Sequence, residues 1–358
     1  MRYAMIMAGG SGVRLWPMSR GSTPKQLIPF IGGKSLLRIA VDRLDGLVPP
    51  ERLFVCAGEK HRELILQAVP DLAAGQFLGE PVGRDTTAAV GFSAAVIALR
   101  DPGAVIAVFT ADHLIRPVGR FRELVNRGYA LVEKFPDTLL TFGVTPTAAA
   151  TGYGYLQLGE VLEGSARVVE RFQEKPGAET AGEYFAAGPE RYLWNSGMFI
   201  WRASTLLDCL RRYETELHAG LMRIAGSPPV IAEVYPGLKK ISVDYAVMEP
   251  ASRDPAVRVA AIPMDLEWLD VGSWPAFATT CPRDENANAL AAGKQVLLDT
   301  RNTLVASNDP NHVIATVGCD GLIIIHTSDA TLVCRADRAE SVKKLQQMVG
   351  ERYGPEYL

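Results

Sequence analysis

The residues best suited to chemistry lie near the N-terminus, in the stretch from Ala8 to Gln26, AGGSGVRLWPMSRGSTPKQ. Gly9, Gly10 and Gly12 let the backbone approach a ligand closely and, with Ala8 and Ser11, offer N–H groups in the concave arrangement that binds anions. Arg14 and Lys25 add fixed positive charge. These residue types describe a loop that holds phosphates, although a strand-to-helix turn with solvated basic residues has the same glycines. Two familiar phosphate loops are excluded. A dinucleotide-binding turn needs a third glycine where this chain has Leu15, and a Walker A loop ending at Gly33, Lys34 and Ser35 needs a glycine where it has Ile28.

Two aspartates complete the charge pattern. Asp112 follows the apolar run Ala104 to Thr110 in VFTADH, and Asp270 sits between apolar residues in WLDVGSW, a poor place for a charge without a partner. Either could cap a helix. A Mg²⁺ ion, however, is bound by one or two carboxylates together with substrate phosphate oxygens. With a phosphate loop on the neighbouring strand, Asp112 reads as a metal ligand, paired with Asp270 across one ion; His113 reads as structural.

The elements that must position these groups follow from periodicity. Tyr3 to Met7 is an apolar run expected to form the first buried strand. Helical patterns over Leu36–Leu47, Lys60–Ala68 and Thr87–Leu99 then alternate with strand patterns over Leu53–Ala57, Ala104–Thr110 and Thr138–Val144. That alternation predicts an α/β fold, a Rossmann-like, mostly parallel sheet with helices on both faces, whose ligands sit outside the carboxyl ends of the strands. Later strand patterns cover Arg167–Pro176 and Tyr192–Arg202, the second interrupted by Asn195, Ser196 and Gly197, which a bulge would explain. SVDYAVME, Ser242 to Glu249, reads as a helix after a capping serine, with Asp244 as a further cap. Beyond Asn286 short β-rich runs begin near Val296, Leu304, Val313, Leu322 and Thr331, the pattern of a meander or a short β-solenoid, followed by an amphipathic helix from Ala336 to Val349. The boundaries are therefore 1–285 and 286–358.

Composition narrows the partners. A chain of 358 residues with net charge −3 and 48% hydrophobic residues has a sizeable core and no basic surplus for nucleic acid or an anionic membrane. Five scattered cysteines without metal-ligand spacing suggest buried free thiols in a reducing compartment, and no segment approaches a membrane span, so a cytoplasmic protein is expected.

The stretch AGGSGVRLWPMSRGSTPKQ resembles the signature of the sugar-phosphate nucleotidyltransferases, and its WPMS and PKQ portions are most similar to the mannose-1-phosphate guanylyltransferases. The resemblance continues in order through VFTADH, EPVGRDTTAA, TGYGYLQLG, FQEKP, YLWNSGMFIWR, SVDYAVME and WLDVGSW. It implies the nucleotidyltransferase fold with a left-handed β-helix at the C-terminus, used for homodimer contacts. The isomerase domain fused to some relatives is not expected in a chain of this length. The resemblance also implies a metal role for Asp112, a sugar loop at Gly152 and Tyr153, sugar hydroxyls held by Glu174 and Asn195, and a sugar-linked phosphate met by Lys175. A carboxylate suits two vicinal hydroxyls and an ammonium suits phosphate. In EPVGRDTTAA, a segment beside the nucleotide base, this chain has Asp85, Thr87 and Ala88 where the family usually has asparagine, alanine and proline. A carboxylate could accept the N1–H and amino hydrogens of guanine together. Asp85 thus reads either guanine or nothing, serving as a helix cap.

The reaction implied is GTP plus α-D-mannose 1-phosphate giving GDP-mannose and pyrophosphate. The sugar phosphate would attack the α-phosphorus in line, assisted by Mg²⁺, with Arg14, Lys25 and Lys175 as the catalytic cations and no covalent intermediate. Alternatives are another pair, such as glucose 1-phosphate with UTP or dTTP, and a noncatalytic sugar-nucleotide-sensing subunit. The joint presence of Arg14, Lys25, Asp112 and Asp270 argues against the latter.

Overall fold

A computed structural model describes residues 1–10, 12–29 and 31–358. The chain packs as two units that interleave in sequence: the first holds Met1–Gly9, Ala40–Ala111 and Ile115–Trp268, and the second Gly10–Ile39, Asp112–Leu114 and Leu269–Leu358.

In the first unit ten strands are β1 (Arg2–Met7), β2 (Leu53–Gly58), β3 (Phe77–Glu80), β4 (Val105–Thr110), β5 (His113–Arg116, which begins in the second unit), β6 (Thr138–Val144), β7 (Tyr155–Glu163), β8 (Ala166–Gln173), β9 (Tyr192–Arg202) and β10 (Arg258–Met264). Nine of them form one sheet in the order β3-β2-β1-β4-β9-β6-β10-β8-β7. Strands β3, β2, β1 and β4 are parallel, as are β6 and β10, while β9 runs antiparallel to both of its neighbours β4 and β6. The expected mostly parallel sheet is present. Helices α1 (Leu36–Arg43), α2 (Arg62–Ala68), α3 (Asp85–Arg100), α4 (Val118–Lys134), α5 (Ala178–Ala187), α6 (Ala203–Tyr213) and α7 (Thr215–Gly226) accompany the strands. A continuous apolar cluster built from β1, β4, α3, α6 and α7, with Met5, Phe54, Ile106, Phe199, Trp201 and Leu210 buried at its centre, holds this scaffold rigid.

The second unit carries β11 (Glu267–Asp270, whose first two residues belong to the first unit), which pairs with β5, and six further short strands: β12 (Ala289–Ala291), β13 (Lys294–Leu298), β14 (Leu304–Ser307), β15 (Val313–Val317), β16 (Leu322–His326) and β17 (Thr331–Arg335). The first four runs anticipated from sequence fall alternately on two sheets, and the fifth joins its predecessor. Strands β12, β14 and β16 are parallel neighbours, β13 and β15 form a separate parallel pair, and antiparallel β17 closes the first set. This is a β-helix rather than a meander. Its apolar interior, with Leu304, Ala306, Ile323 and Ile325, is continuous with Leu15, Trp16, Val271 and Trp274, so the glycine loop and the WLDVGSW segment belong to the same packed body as the C-terminal strands. The terminal helix starts as a 3-10 turn, Ala336–Ser341, and becomes α-helical over Val342–Tyr353. All five cysteines are free; Cys56 and Cys209 are buried, and Cys281, Cys319 and Cys334 are only partly so. Among the described residues no helix is long and apolar enough to cross a membrane.

Candidate active site

The second unit gathers the phosphate-type and metal-type residues. Strand β1 is buried between β2 and β4 and delivers the chain through buried Ala8, whose amide bonds to Cys56 O at 2.8 Å, into Gly9 and Gly10. Gly10 has φ +105° and Gly12 φ +60°, conformations that glycine adopts without strain. At Gly12 a side chain is also excluded by space, since a Cβ there would lie 2.7 Å from Lys25 Cβ. That close approach seats Lys25, nearly buried, so that its Nζ donates to Asp112 Oδ2 at 2.6 Å. Ser19 Oγ donates to Gly12 O at 2.7 Å and fixes the loop from its other side. Ser11 lies outside the described residues. Arg14 pairs with Glu340 at 3.3 Å, both side chains being largely solvent-exposed.

Asp112 and Asp270 converge as expected. Val271 N donates to Asp112 O at 3.0 Å, tying the two segments together, and Asp112, His113 and Asp270 each offer one ligand atom within 4.8 Å of the others. Burial alone would raise the Asp112 carboxyl, but the Lys25 charge, His113 and the Lys25 hydrogen bond outweigh it and hold the group at about 2. Asp270 Oδ1 is buried without a hydrogen-bond partner, an expensive state for a carboxylate oxygen that a cation shared with Asp112 would relieve. Two hard oxygen donors beside the glycine loop therefore fit Mg²⁺. Two further residues lie at this point: His113, read from sequence as structural, brings a ring nitrogen within 4.8 Å of the two carboxylates, and Gly272 is required by close approach, because a Cβ there would sit 3.0 Å from Arg14 Nη2 and 3.2 Å from Asp270 Oδ1.

The first unit gathers the sugar-type residues. Glu174, buried at 5% exposure, and Lys175 follow β8, and Lys175 Nζ donates to Glu174 Oε1 at 2.5 Å. Burial opposes the lysine charge, but the Glu174 hydrogen bond and charge, with Asp244 adding, carry its pKa above the ordinary value. Lys175 has φ +43°, an uncommon conformation for a side-chain-bearing residue. Asn195 sits in β9 where the register to β6 slips between Thr141 and Gly143, so the anticipated bulge is there. Its side chain is nevertheless well engaged with neighbours: Nδ2 donates to Asp244 Oδ1 at 2.9 Å, and Oδ1 accepts from Thr141 Oγ1 at 2.7 Å. Tyr153 packs against Trp194 and Trp268, with ring centroids 4.9 and 5.5 Å away. Beside Gly152 and Tyr153 the structure adds Gly154. A Cβ at Gly154 would be 2.6 Å from Glu174 Oε2, whereas one at Gly152 meets nothing within 4 Å.

Asp85 occupies the first position of α3 with φ +66°, exposed, and its Oδ1 accepts the Thr86 amide at 2.8 Å, a bond to the next residue and not to the second or third amide beyond it, where a helix-capping side chain bonds. Nearby in sequence, Glu80 ends β3 buried. Tyr235 donates its hydroxyl to Glu80 Oε1 at 2.6 Å, and Glu80 Oε2 faces Gly9, 3.6 Å from where a Cβ would stand. Burial pushes the Glu80 carboxyl up, partly opposed by the Tyr235 hydrogen bond. No local pattern signals this pair, whose members are separated by 155 residues.

The chain is similar to known proteins in both sequence and fold. Residues 3–287 match the nucleotidyl transferase family, and residues 293–348 match the mannose-phosphate isomerase/GMP-like β-helix domain. The chain is 34% identical over 371 aligned residues to a mannose-1-phosphate guanylyltransferase of Klebsiella pneumoniae and likewise to one of Escherichia coli, covering 100% of this chain and 76% of each relative. A crystal structure from Thermus thermophilus, described as a mannose-1-phosphate geranyltransferase, superposes with TM-score 0.86 and 34% identity over 97% of this chain and 99% of that one.

Proposed function

The chain belongs to the nucleotidyl transferase family, and from that membership we propose that it transfers GMP from GTP to α-D-mannose 1-phosphate, giving GDP-mannose and pyrophosphate. The observation that carries the reading is the convergence of Lys25, Asp112 and Asp270 behind a glycine loop, in a chain whose full-length relatives are mannose-1-phosphate guanylyltransferases. The backbone of Gly9, Gly10 and Gly12, with Arg14 and Lys25, holds the nucleotide phosphates. Asp112 and Asp270 hold Mg²⁺, with His113 at hand. The ion supplies charge neutralisation for the phosphates. Glu174 and Asn195 hold sugar hydroxyls, Tyr153 lines the sugar, and Lys175 orients the attacking phosphate. An oxygen of the sugar phosphate attacks the α-phosphorus and pyrophosphate leaves from the opposite side, so the protein contributes positioning and fixed charge rather than a nucleophile.

The experiment is pyrophosphate release from the purified protein with Mg²⁺, crossing GTP, ATP, UTP, dTTP and CTP with mannose 1-phosphate and glucose 1-phosphate. Release concentrated in the GTP and mannose 1-phosphate pair supports the proposal. Release with another pair reassigns base or sugar, and none with any pair returns the noncatalytic reading.

We also propose a homodimer formed through the β-helix. Strands β13 and β15 lie in register with Val296 opposite Ala315 and Leu298 opposite Val317. Val296, Leu298, Val313 and Val317 all point outward at 53–71% exposure, an apolar face that a second copy would cover symmetrically. Free thiols throughout support a cytoplasmic location.

A further inference from the structure

Asp244 is a half-buried carboxylate that the proposed reaction leaves without a task. It begins a π-helical turn, Asp244–Met248, a rare geometry that is frequent at functional sites. The backbone leading into it is fastened to the first turn of α3: Thr87 N donates to Ile241 O at 3.3 Å, and Val243 N donates to Thr86 Oγ1 at 2.9 Å. The carboxylate is thus held on a rigid mount, and its Oδ1 accepts one hydrogen of the Asn195 amide at 2.9 Å. On the far side of that amide, Thr141 Oγ1 donates to Asn195 Oδ1 at 2.7 Å and shares its hydrogen with Met198 O at 3.0 Å.

These bonds determine which way the amide faces. Asp244 Oδ1 is the acceptor of one bond and Thr141 Oγ1 the donor of the other, so the NH₂ end of Asn195 points to Asp244 and its carbonyl end to Thr141. We propose that Asp244 is a positioning residue for sugar recognition, fixing the Asn195 amide so that its second Nδ2 hydrogen is kept for an acceptor oxygen of the substrate. The proposal rests on the sugar role of Asn195 given above. Without the carboxylate the amide can rotate by half a turn and present an acceptor where the substrate needs a donor. Burial together with the charge of Glu174 pushes the Asp244 carboxyl up to about 7. A carboxylate kept in so unfavourable a place is consistent with a functional demand on it.

The test compares Asp244→Leu, Asp244→Asn and Thr141→Val with wild type, after wild-type turnover has identified the sugar 1-phosphate used. Removing the acceptor in Asp244→Leu is expected to raise KM for the sugar phosphate about tenfold, the effect of one lost orienting hydrogen bond, with KM for the nucleotide changed less than about twofold. Asp244→Asn keeps an acceptor oxygen and should return KM to within about threefold of wild type. Thr141→Val, nearly equal in shape, should show the same selective effect more weakly, and it carries the test alone should the leucine variant not fold. An unchanged KM for the sugar phosphate in Asp244→Leu, or in Thr141→Val when that variant stands alone, would overturn the proposal. So would equal changes in both KM values, or an asparagine variant no better than leucine. Failure of the wild type to use any sugar phosphate would instead overturn the sugar role of Asn195 itself.

Discussion

Gly154→Ala separates the packing argument for the sugar residues from a general loss of fold. The added methyl would stand 2.6 Å from Glu174 Oε2, 3.4 Å from Phe172 Cε1 and 3.5 Å from Asn195 Cβ. Ordinary contact begins near 3.4 Å, so only Glu174 must yield, by about 0.8 Å. It has little room to do so. Glu174 is 5% exposed, Phe172 behind it is fully buried, and Lys175 grips Oε1 at 2.5 Å, so a displaced carboxylate takes the ammonium with it. A misplacement approaching 1 Å in a positioning group costs up to about 10²-fold, and overpacking costs about 1–3 kcal/mol of stability. Initial rates with one substrate varied at saturating levels of the other should show kcat/KM for mannose 1-phosphate falling roughly 10- to 100-fold while KM for GTP stays within about twofold. A Gly154→Ala protein with kcat/KM for mannose 1-phosphate within about twofold of wild type would refute the placement of Glu174 against the substrate.

Three further outcomes are expected. Lys25→Ala and Asp270→Asn should each lower kcat by about 10²–10³, the usual cost of one preorganised charge contact, and the second should show its full loss at limiting Mg²⁺; turnover near wild type there would remove Asp270 from the reaction. Asp244 has its carboxyl raised from 3.8 to about 7, so its cost to folding is absent below the ordinary carboxylate range and complete above neutrality. Asp244→Asn should accordingly stabilise the substrate-free protein at pH 8, by on the order of 2–4 kcal/mol, and not at pH 4, as read from unfolding midpoints; an equal gain at both values would contradict the cause given. Val317→Lys, placing a charge on the outward β13–β15 face, should shift the sedimentation of the protein from dimer to monomer without changing its circular dichroism, whereas an unchanged dimer would move the interface elsewhere.

Local pattern carried much of the fold. Strands β6 and β9 occupy the very residues anticipated, Thr138–Val144 and Tyr192–Arg202, because each is an apolar run bounded by turn residues. Helix α1 ends at Arg43 rather than Leu47, since Gly46 at φ +78° turns the chain out of the helix. The Asp112–Asp270 convergence was legible because a carboxylate set among apolar residues needs a compensating partner. What sequence could not reveal were relations made across long separations. Gly154 looks like any turn glycine until Glu174 is seen against it. Asp244 reads as a cap until Asn195, 49 residues earlier, is found donating to it. The packing of the glycine loop with the C-terminal strands likewise follows from Leu15 and Trp16 sharing an interior with Leu304 and Ile323, which no periodicity reports.

The central claim is a direct transfer of GMP to the sugar phosphate, and its most direct measurement is the fate of a single diastereomer of GTP carrying sulfur on the α-phosphorus. Incubation with mannose 1-phosphate should give the thio analogue of GDP-mannose with its configuration at that phosphorus inverted, as one in-line displacement demands. Retention would require a covalent enzyme intermediate, and absence of the labelled nucleotide sugar while pyrophosphate accumulates would mean transfer to some other acceptor; either result contradicts the account.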